Sequence, residues 1–477
     1  MSRKLEVSIV SAILGRALPY AQHSESASPE LAPIYSRHGG VVHRWLTFHR
    51  CLQPKMLSLD AKLHAALQSR EQRRICRRLP DAAADDGLAD FSTNDYLSLA
   101  ISEDLRARFL RKLQSAPQIL GSGGSRLLVN GAAHAALETR LQTFFDAPCA
   151  LLFNSGFDAN VGLFSCVPQP DDVVVFDEHI HASVHDGIRA SRTKESSRVA
   201  FAHNSPTSLS EVLLQLQRDR PGLATGAESV FVAVETLYSM DGTIAPLTKI
   251  VETVEELLPK GNGYVVVDEA HATGVYGPEG RGFVALLGLE RRVFARLHTF
   301  GKALGGSGAV MLTTPLVRDY LLNYARSLIY TTSLSYASVL SVDCSLDLLV
   351  DGSATALSTR LFALCAHFLT ALRVSLSNIP PSLLALPDHF SETSTALAGL
   401  QSPIIPLLTP HPRLLSDALR ERGLNARPIT WPTVPKGGER VRVCLHAGNT
   451  VEEVERLVAA VVEWAQTWQE GSLQAKL

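Results

Sequence analysis

Excess charge of either sign is missing from this sequence. Lys plus Arg number 45 and Asp plus Glu 47 among 477 residues, a formal net charge of −2 at pH 7. Such a balance gives no reason to expect a nucleic-acid partner or an anionic membrane surface. Cysteine is sparse and unpatterned. The seven cysteines, at 51, 76, 149, 166, 344, 365 and 444, include no Cys-x-x-Cys pair. Their odd number and wide spacing argue against a disulfide framework and a zinc knuckle, and favour a reducing compartment. No run reads as the roughly 18 to 20 consecutive apolar residues that cross a bilayer. Together these absences predict a soluble intracellular protein.

What is present is ordinary for a globular chain. Hydrophobic residues are 46% and charged residues 19%, enough for a sizeable core and too apolar for a disordered chain. At ~150 residues per domain the length suggests about three domain-sized units. Residues 1–56 read as an extension. Arg3, Lys4, an apolar stretch from Val7 to Leu14 and Arg16 precede a Ser/Pro/Glu-rich stretch, and Glu6 is the lone acid in the first 24 positions. That pattern suits either a disordered extension or a transit peptide.

A helical segment is expected over 57–94, with Leu57, Leu59, Leu63, Leu67 and Ile75 spaced among charges up to Arg78 and ended by Pro80 and Asp85-Asp86. Across 95–350, apolar runs at Ala150–Phe153, Asp172–Phe176, Ser229–Val234, Tyr264–Val267, Arg296–Phe300 and Gly308–Leu312 alternate with helical stretches such as Pro206–Gln217 and Leu247–Leu258. Runs rich in β-branched residues without polar alternation predict strands of a largely parallel, doubly wound α/β sheet. Residues 351–470 read as a smaller α+β domain with strands at Ser402–Leu408 and Arg440–Leu445 and a last helix from Thr450 to Gln469, followed by a tail at 471–477.

Two strand ends carry the chemistry. Tyr264-Val-Val-Val-Asp-Glu-Ala-His271 delivers an acid, Asp268, at the carboxyl end of an apolar strand, and Thr299-Phe-Gly-Lys302 delivers a lysine among small residues. Ligands of open α/β sheets sit at that edge. An acid that can pair with a pyridinium nitrogen and a lysine that can form a Schiff base are the two anchors pyridoxal phosphate needs. Asn154-Ser-Gly-Phe-Asp158 places a glycine turn before a helix, whose N-terminus suits a phosphate. Ile329-Tyr-Thr-Thr-Ser333 adds hydroxyls, and His179-Ile-His181-Ala-Ser183 brings imidazoles after another strand. Gly121-Ser-Gly-Gly-Ser-Arg126 reads as a flexible loop that matches neither a P-loop nor a dinucleotide fingerprint.

With Ser92-Thr-Asn-Asp-Tyr-Leu97, Ser239-Met-Asp-Gly242 and Pro432-Thr-Val-Pro435, these motifs make the chain resemble the α-oxoamine synthases over roughly residues 57–468. These are pyridoxal-phosphate enzymes of the aspartate-aminotransferase fold (fold type I) that join an amino acid to an acyl-CoA with loss of carbon dioxide. The resemblance implies Lys302 as the Schiff-base lysine and base, Asp268 as the pyridinium partner, and His181 stacked on the ring. It implies Ser239 and His271 on the phenolic oxygen. Gly156, Phe157 and Thr299 would hold the phosphate, helped by Thr331 or Thr332 of a second subunit, which makes a homodimer the expected partner. Asn94 would meet the substrate carboxylate.

Ser307-Gly-Ala309 after the lysine looks most like members that use alanine and a pimeloyl thioester to begin biotin assembly. Glycine- and serine-using members more often have Gly-Gly-Tyr there. Bacterial members of the first kind place a carboxylate-binding arginine where this chain has Thr430, so Arg427 or Arg442 is expected to substitute. Two other classes compete. His179-x-His181-x-x-x-His185 resembles a metal ligand run but has Ser183 where a metallo-β-lactamase signature needs Asp, and a non-catalytic family subunit would lack the lysine, which is present. The terminal Ala475-Lys476-Leu477 fits the peroxisomal address read by an import receptor, with mitochondrion or cytosol as the alternatives.

Overall fold

Valine-rich runs place the sheet centre. The computed structural model describes residues 58–73, 75–79, 81–390 and 400–474. Its strands, in chain order, are β1 (Ala89–Asp90), β2 (Cys149–Phe153), β3 (Val173–Asp177), β4 (Arg198–Phe201), β5 (Val230–Glu235), β6 (Gly263–Asp268), β7 (Ala295–Thr299), β8 (Ala309–Thr313), β9 (Ile404–Leu408), β10 (Leu424–Asn425), β11 (Arg427–Ile429) and β12 (Arg440–Cys444). Seven form one sheet in the order β2-β8-β7-β6-β5-β3-β4. Its pairs are parallel except those of β8, which runs against β2 and β7.

Successive side chains of these strands enter opposite cores, as the two-residue period requires. Val174, Phe231, Ala233 and Val266 pack with Leu163, Val184 and Leu321 on one face. Val175, Val232, Val265 and Val267 pack with Leu213 and Ile250 on the other. The helices Gly156–Cys166, Ala182–Ala190 and Pro315–Tyr324 supply the first cover, and Pro206–Asp219 and Leu247–Leu257 the second. Each buried Val or Leu contributes about 1.5–3 kcal/mol, so the two covers together hold the sheet and its register. β4 escapes the sequence pattern because it is an edge strand. Ala200 is exposed and Arg198 and Val199 only half-buried, so no apolar run marks it.

The smaller sheet has the order β11-β12-β9, antiparallel throughout. Ile405, Leu407, Val441 and Val443 share a core with Leu361 and Phe368 of the helix Ser353–Leu376 and Val454 and Leu457 of the helix Val451–Gln474. The expectation that no segment is long and apolar enough to cross a membrane fails at Ser353–Leu376, which qualifies by length and composition. Its Leu361, Leu364, Cys365, Phe368 and Leu372 are buried at helical spacing in this core, and a helix that turns so much of its face inward needs that hydropathy.

The amino-terminal helix also departs from its expected bounds, covering Ser58–Gln72 rather than reaching Arg78. From Ser69 to Arg74 there is no apolar residue, so a continuing turn has nothing to bury. Residues up to Ser69 form one unit and those from Arg70 onward another, and the described part of the first buries no side chain. The transit-peptide segment, Cys51 and the terminal tripeptide lie outside the described residues. Cys76, Cys149, Cys166, Cys344, Cys365 and Cys444 are free thiols.

Gly121–Arg126, expected to be flexible, is tied down. Arg126 and Ser122 are buried. The Ser333 N–H donates to the Gly124 carbonyl at 2.9 Å, and its hydroxyl donates to Ser122 Oγ at 2.8 Å. Arg126 pairs with Glu138 at 2.9 Å, and Glu138 also accepts the Leu152 N–H of β2 at 3.0 Å. Glu138→Ala leaves the Arg126 guanidinium buried without its counter-charge and is expected to cost about 3–5 kcal/mol, read from the urea midpoint. A loss below about 1 kcal/mol would show that the pair holds nothing.

Candidate active site

Four parallel strands end in polar residues at one edge of the large sheet: β3 in Asp177, β5 in Glu235, β6 in Asp268 and β7 in Thr299. A cavity of about 260 Å³ opens there, lined by Glu235, Asp268, Thr299, His181, His271 and Lys302 among others. Parallel strands all end at the same edge of their sheet, so distant acids, imidazoles and an amine converge without any local sequence contact.

Asp268 is nearly buried. One carboxylate oxygen accepts the Ala270 N–H at 2.9 Å and the other the Asn160 amide at 2.9 Å. The same amide donates to Ser183 Oγ at 2.9 Å, and Ser183 Oγ lies 2.8 Å from His181 Nδ1. The Ser183 N–H also donates to that nitrogen, at 3.2 Å, so Nδ1 is the acceptor and the neutral ring carries its proton on Nε2. Burial pushes the His181 pKa down against the opposing pull of Asp268. His271 is buried with Nδ1 2.6 Å from the Tyr96 hydroxyl. Burial, then the charge of Lys302, holds its imidazole well below the usual range, so it too is neutral.

Lys302 sits in the turn after β7, closed by the Gly305 N–H donating to its carbonyl at 2.9 Å. Burial lowers its pKa, with Asp268 and Glu235 opposing. A lysine so placed presents an amine able to condense with a carbonyl. Ser155 caps the helix Gly156–Cys166 by accepting the Asp158 N–H at 3.0 Å, which leaves the N–H groups of Gly156 and Phe157 to an anion. A Cβ on Gly156 would meet Thr299 Cγ2 at 2.5 Å, so a helix end and β7 form a cradle only glycine permits. Amine, acid, imidazole and anion cradle fit pyridoxal phosphate: Lys302, Asp268, His181, and Gly156, Phe157 and Thr299 can hold it.

Other predicted residues stand back from the cavity. Ser239 offers its carbonyl to Arg442 Nε at 2.5 Å. Thr331 and Thr332 receive the Asn154 amide, on Oγ1 at 3.3 Å and on the carbonyl at 2.5 Å. Arg442 is buried and donates to Asn94 Oδ1 at 2.8 Å, one residue behind the cavity wall. Arg427 faces Arg442 across the β11–β12 register, but like charges placed opposite each other repel, and Arg427 turns to Asp85, which it shares with Arg420. Of the two arginines offered by the sequence, the fold brings only Arg442 to the site. Sequence reasoning missed Glu235, Asn160 and Ser183, which also line the cavity. Glu235 had a readable signal, since it ends an apolar strand just as Asp268 does.

The histidine run is dispersed. His179 stacks on His203 at 4.2 Å, with Nδ1 3.4 Å from Asp241, and His185 sits edge-on to Phe176 at 5.1 Å. Among the described residues no group of three or more His, Cys, Asp or Glu is placed to hold a metal ion. Arg442→Ala is expected to raise the KM for an amino-acid substrate about 30- to 100-fold, since truncating one buried partner of a charged pair costs ~2–3 kcal/mol. Arg427→Ala should change that KM less than about twofold. The reverse order in steady-state assays would return the carboxylate role to Arg427.

The sequence matches the family Aminotransferase class I and II over residues 87–461. It is 49% identical to 8-amino-7-oxononanoate synthase of Emericella nidulans over 415 residues, 86% of this chain and 96% of that one. It is 36% identical to aminoacyl transferase sphA of Aspergillus fumigatus over 449 residues, 91% of this chain and 94% of that one. Sphingomonas wittichii serine palmitoyltransferase superposes with a TM-score of 0.69 at 25% identity, covering 87% of this chain and 98% of its own. The chain therefore belongs to the aminotransferase class I and II family and, within it, to the α-oxoamine synthases, pyridoxal-phosphate-dependent acyltransferases.

Proposed function

We propose that this enzyme joins L-alanine to pimeloyl-CoA, releasing CoA and carbon dioxide, to form 8-amino-7-oxononanoate for biotin biosynthesis. The observation that carries the reading is 49% identity, over nearly the whole of that relative, to a protein named for this product. Ser307-Gly-Ala309 beside Lys302 is consistent with it.

Bound pyridoxal phosphate supplies an electron sink for charge developing at the amino acid's α-carbon. Lys302 Nζ would hold the group, and as a neutral amine it would take the proton from the substrate's α-carbon. Asp268 would pair with the ring nitrogen of that group, and neutral His181 would help to hold it. Arg442, through its place behind Asn94, fixes the substrate carboxylate. The carbon–carbon bond forms at the thioester carbonyl as the CoA thiolate leaves, the carboxylate departs as carbon dioxide, and the proton held on Lys302 returns to the α-carbon. A second reading, another amino acid such as serine or glycine with a different acyl-CoA, is supported by the 36% identity to a protein named aminoacyl transferase and by the likeness to a serine palmitoyltransferase.

The site is proposed to be completed by a second copy of the chain. Exposed Phe157 (44%), Leu120 (76%), Leu128 (81%) and Tyr330 (72%) surround the segments that carry Gly156 and Thr331, and apolar surface of this kind is normally covered. A panel of amino acids and acyl-CoA esters, read by CoA release on protein that light scattering shows to be dimeric, tests both. Alanine with pimeloyl-CoA is expected to turn over fastest. Preference for serine with a long-chain acyl-CoA would replace the substrate assignment, and a fully active monomer would remove the second copy.

Ala475-Lys476-Leu477 motivates a peroxisomal location for this activity. An amino-terminal fluorescent fusion is expected to be punctate and to become diffuse when Leu477 is deleted. Mitochondrial signal lost only on removal of residues 1–24 would point to the other end of the chain.

A further inference from the structure

Three acids stand side by side where the central strands end, and they are not served alike. Asp177 accepts the N–H groups of His179 and Asn204 at 2.9 and 2.8 Å and lies 2.8 Å from His203 Nδ1. Asp268 has the Ala270 N–H and the Asn160 amide. Glu235 is directly opposite Asp268 in the parallel β5–β6 register, on strands ~4.8 Å apart. It is 3% exposed and lines the same cavity. Among the described residues its carboxyl has only the His181 backbone N–H directed at it, and no side-chain donor.

We propose that Glu235 stands in the cofactor site as a neutral carboxylic acid, a positioning residue that fills the space beside Asp268 without adding a second negative charge. Two buried carboxylates on neighbouring strand ends repel too strongly for both to ionise, and Asp268 holds the donors that a negative charge requires. The groups facing Glu235 act in the same sense on balance. Burial, then Asp268, raises its pKa well above the usual range, Asp177 adds to this, and Lys302 and the His181 N–H oppose it. A second charge here would also favour Lys302 as ammonium, the form that can neither condense with a carbonyl nor take a proton. One ionised acid serves the ring nitrogen and leaves the amine available.

The inference rests on the cofactor site alone. A failed substrate panel leaves it standing, and its own failure leaves the substrate reading untouched. The test follows the visible absorption of the cofactor-loaded enzyme against pH. Glu235→Gln keeps the shape and cannot carry charge, so the midpoint of that titration is expected to stay within about 0.3 pH unit of the wild type. Glu235→Ala opens a space beside Asp268 and is expected to weaken cofactor retention about tenfold, a loss that Gln restores. A midpoint lowered by about one unit or more in Glu235→Gln means that a charge was removed, and overturns the proposal. Should neither variant fold, unaltered enzyme decides by infrared spectroscopy. A protonated-carboxyl band is expected to persist at about pH 9, above the range of Glu269, whose pKa burial pushes up to about 7. No such band at that pH overturns the proposal.

Discussion

The Asp268 carboxylate is held between the Ala270 N–H and the Asn160 amide at the end of a strand whose last four residues are buried. A negative charge in such a place is costly unless donors and a cation meet it, and much of the site follows from that. Asn160 passes the orientation on to Ser183 and so to His181. Burial keeps both histidines neutral beside Lys302. The valines on either side of β6 matter here less as ballast than as the reason its end cannot relax into solvent.

The small sheet is fastened to a turn that follows β5. Arg440 pairs with Asp241 at 2.5 Å and Arg442 reaches the Ser239 carbonyl, so two alternate residues of β12 grip one turn of the large domain. Burial works against the Asp241 charge, but His179 and Arg440 hold its pKa well down. Gly242 completes the joint. Its φ is +66° and a Cβ would sit 2.0 Å from the Ile404 carbonyl oxygen, so β9 approaches the turn as closely as backbone can. Ser239-Met-Asp-Gly242 thus acts as a seat for β12 and β9.

Much of this was legible before any coordinates. The central strands announce themselves because burial on both faces demands unbroken apolar runs, and each falls within two residues of its expected bounds. β4 and β11 do not, being half-exposed edges with no such run. Lys302, Asp268, His181 and Gly156 were readable because their chemistry depends on residue type next to a strand end or helix start. Asn160 was not, since an asparagine inside a helix has many uses and only its approach to Asp268 across 108 positions reveals this one.

By itself the sequence determined the layer architecture, the cofactor class and the pair of anchors for it, because periodicity and strand-end residues are local properties. Only the tertiary structure separated Arg427 from Arg442, which have the same charge and lie on paired strands, because their surroundings depend on where Asp85 and Asn94 come to rest. It alone tied down the glycine loop through Ser333 and Glu138, and it alone set Glu235 beside Asp268. Register between strands more than thirty residues apart is a matter of packing, and no spacing along the chain records which two acids will share an edge.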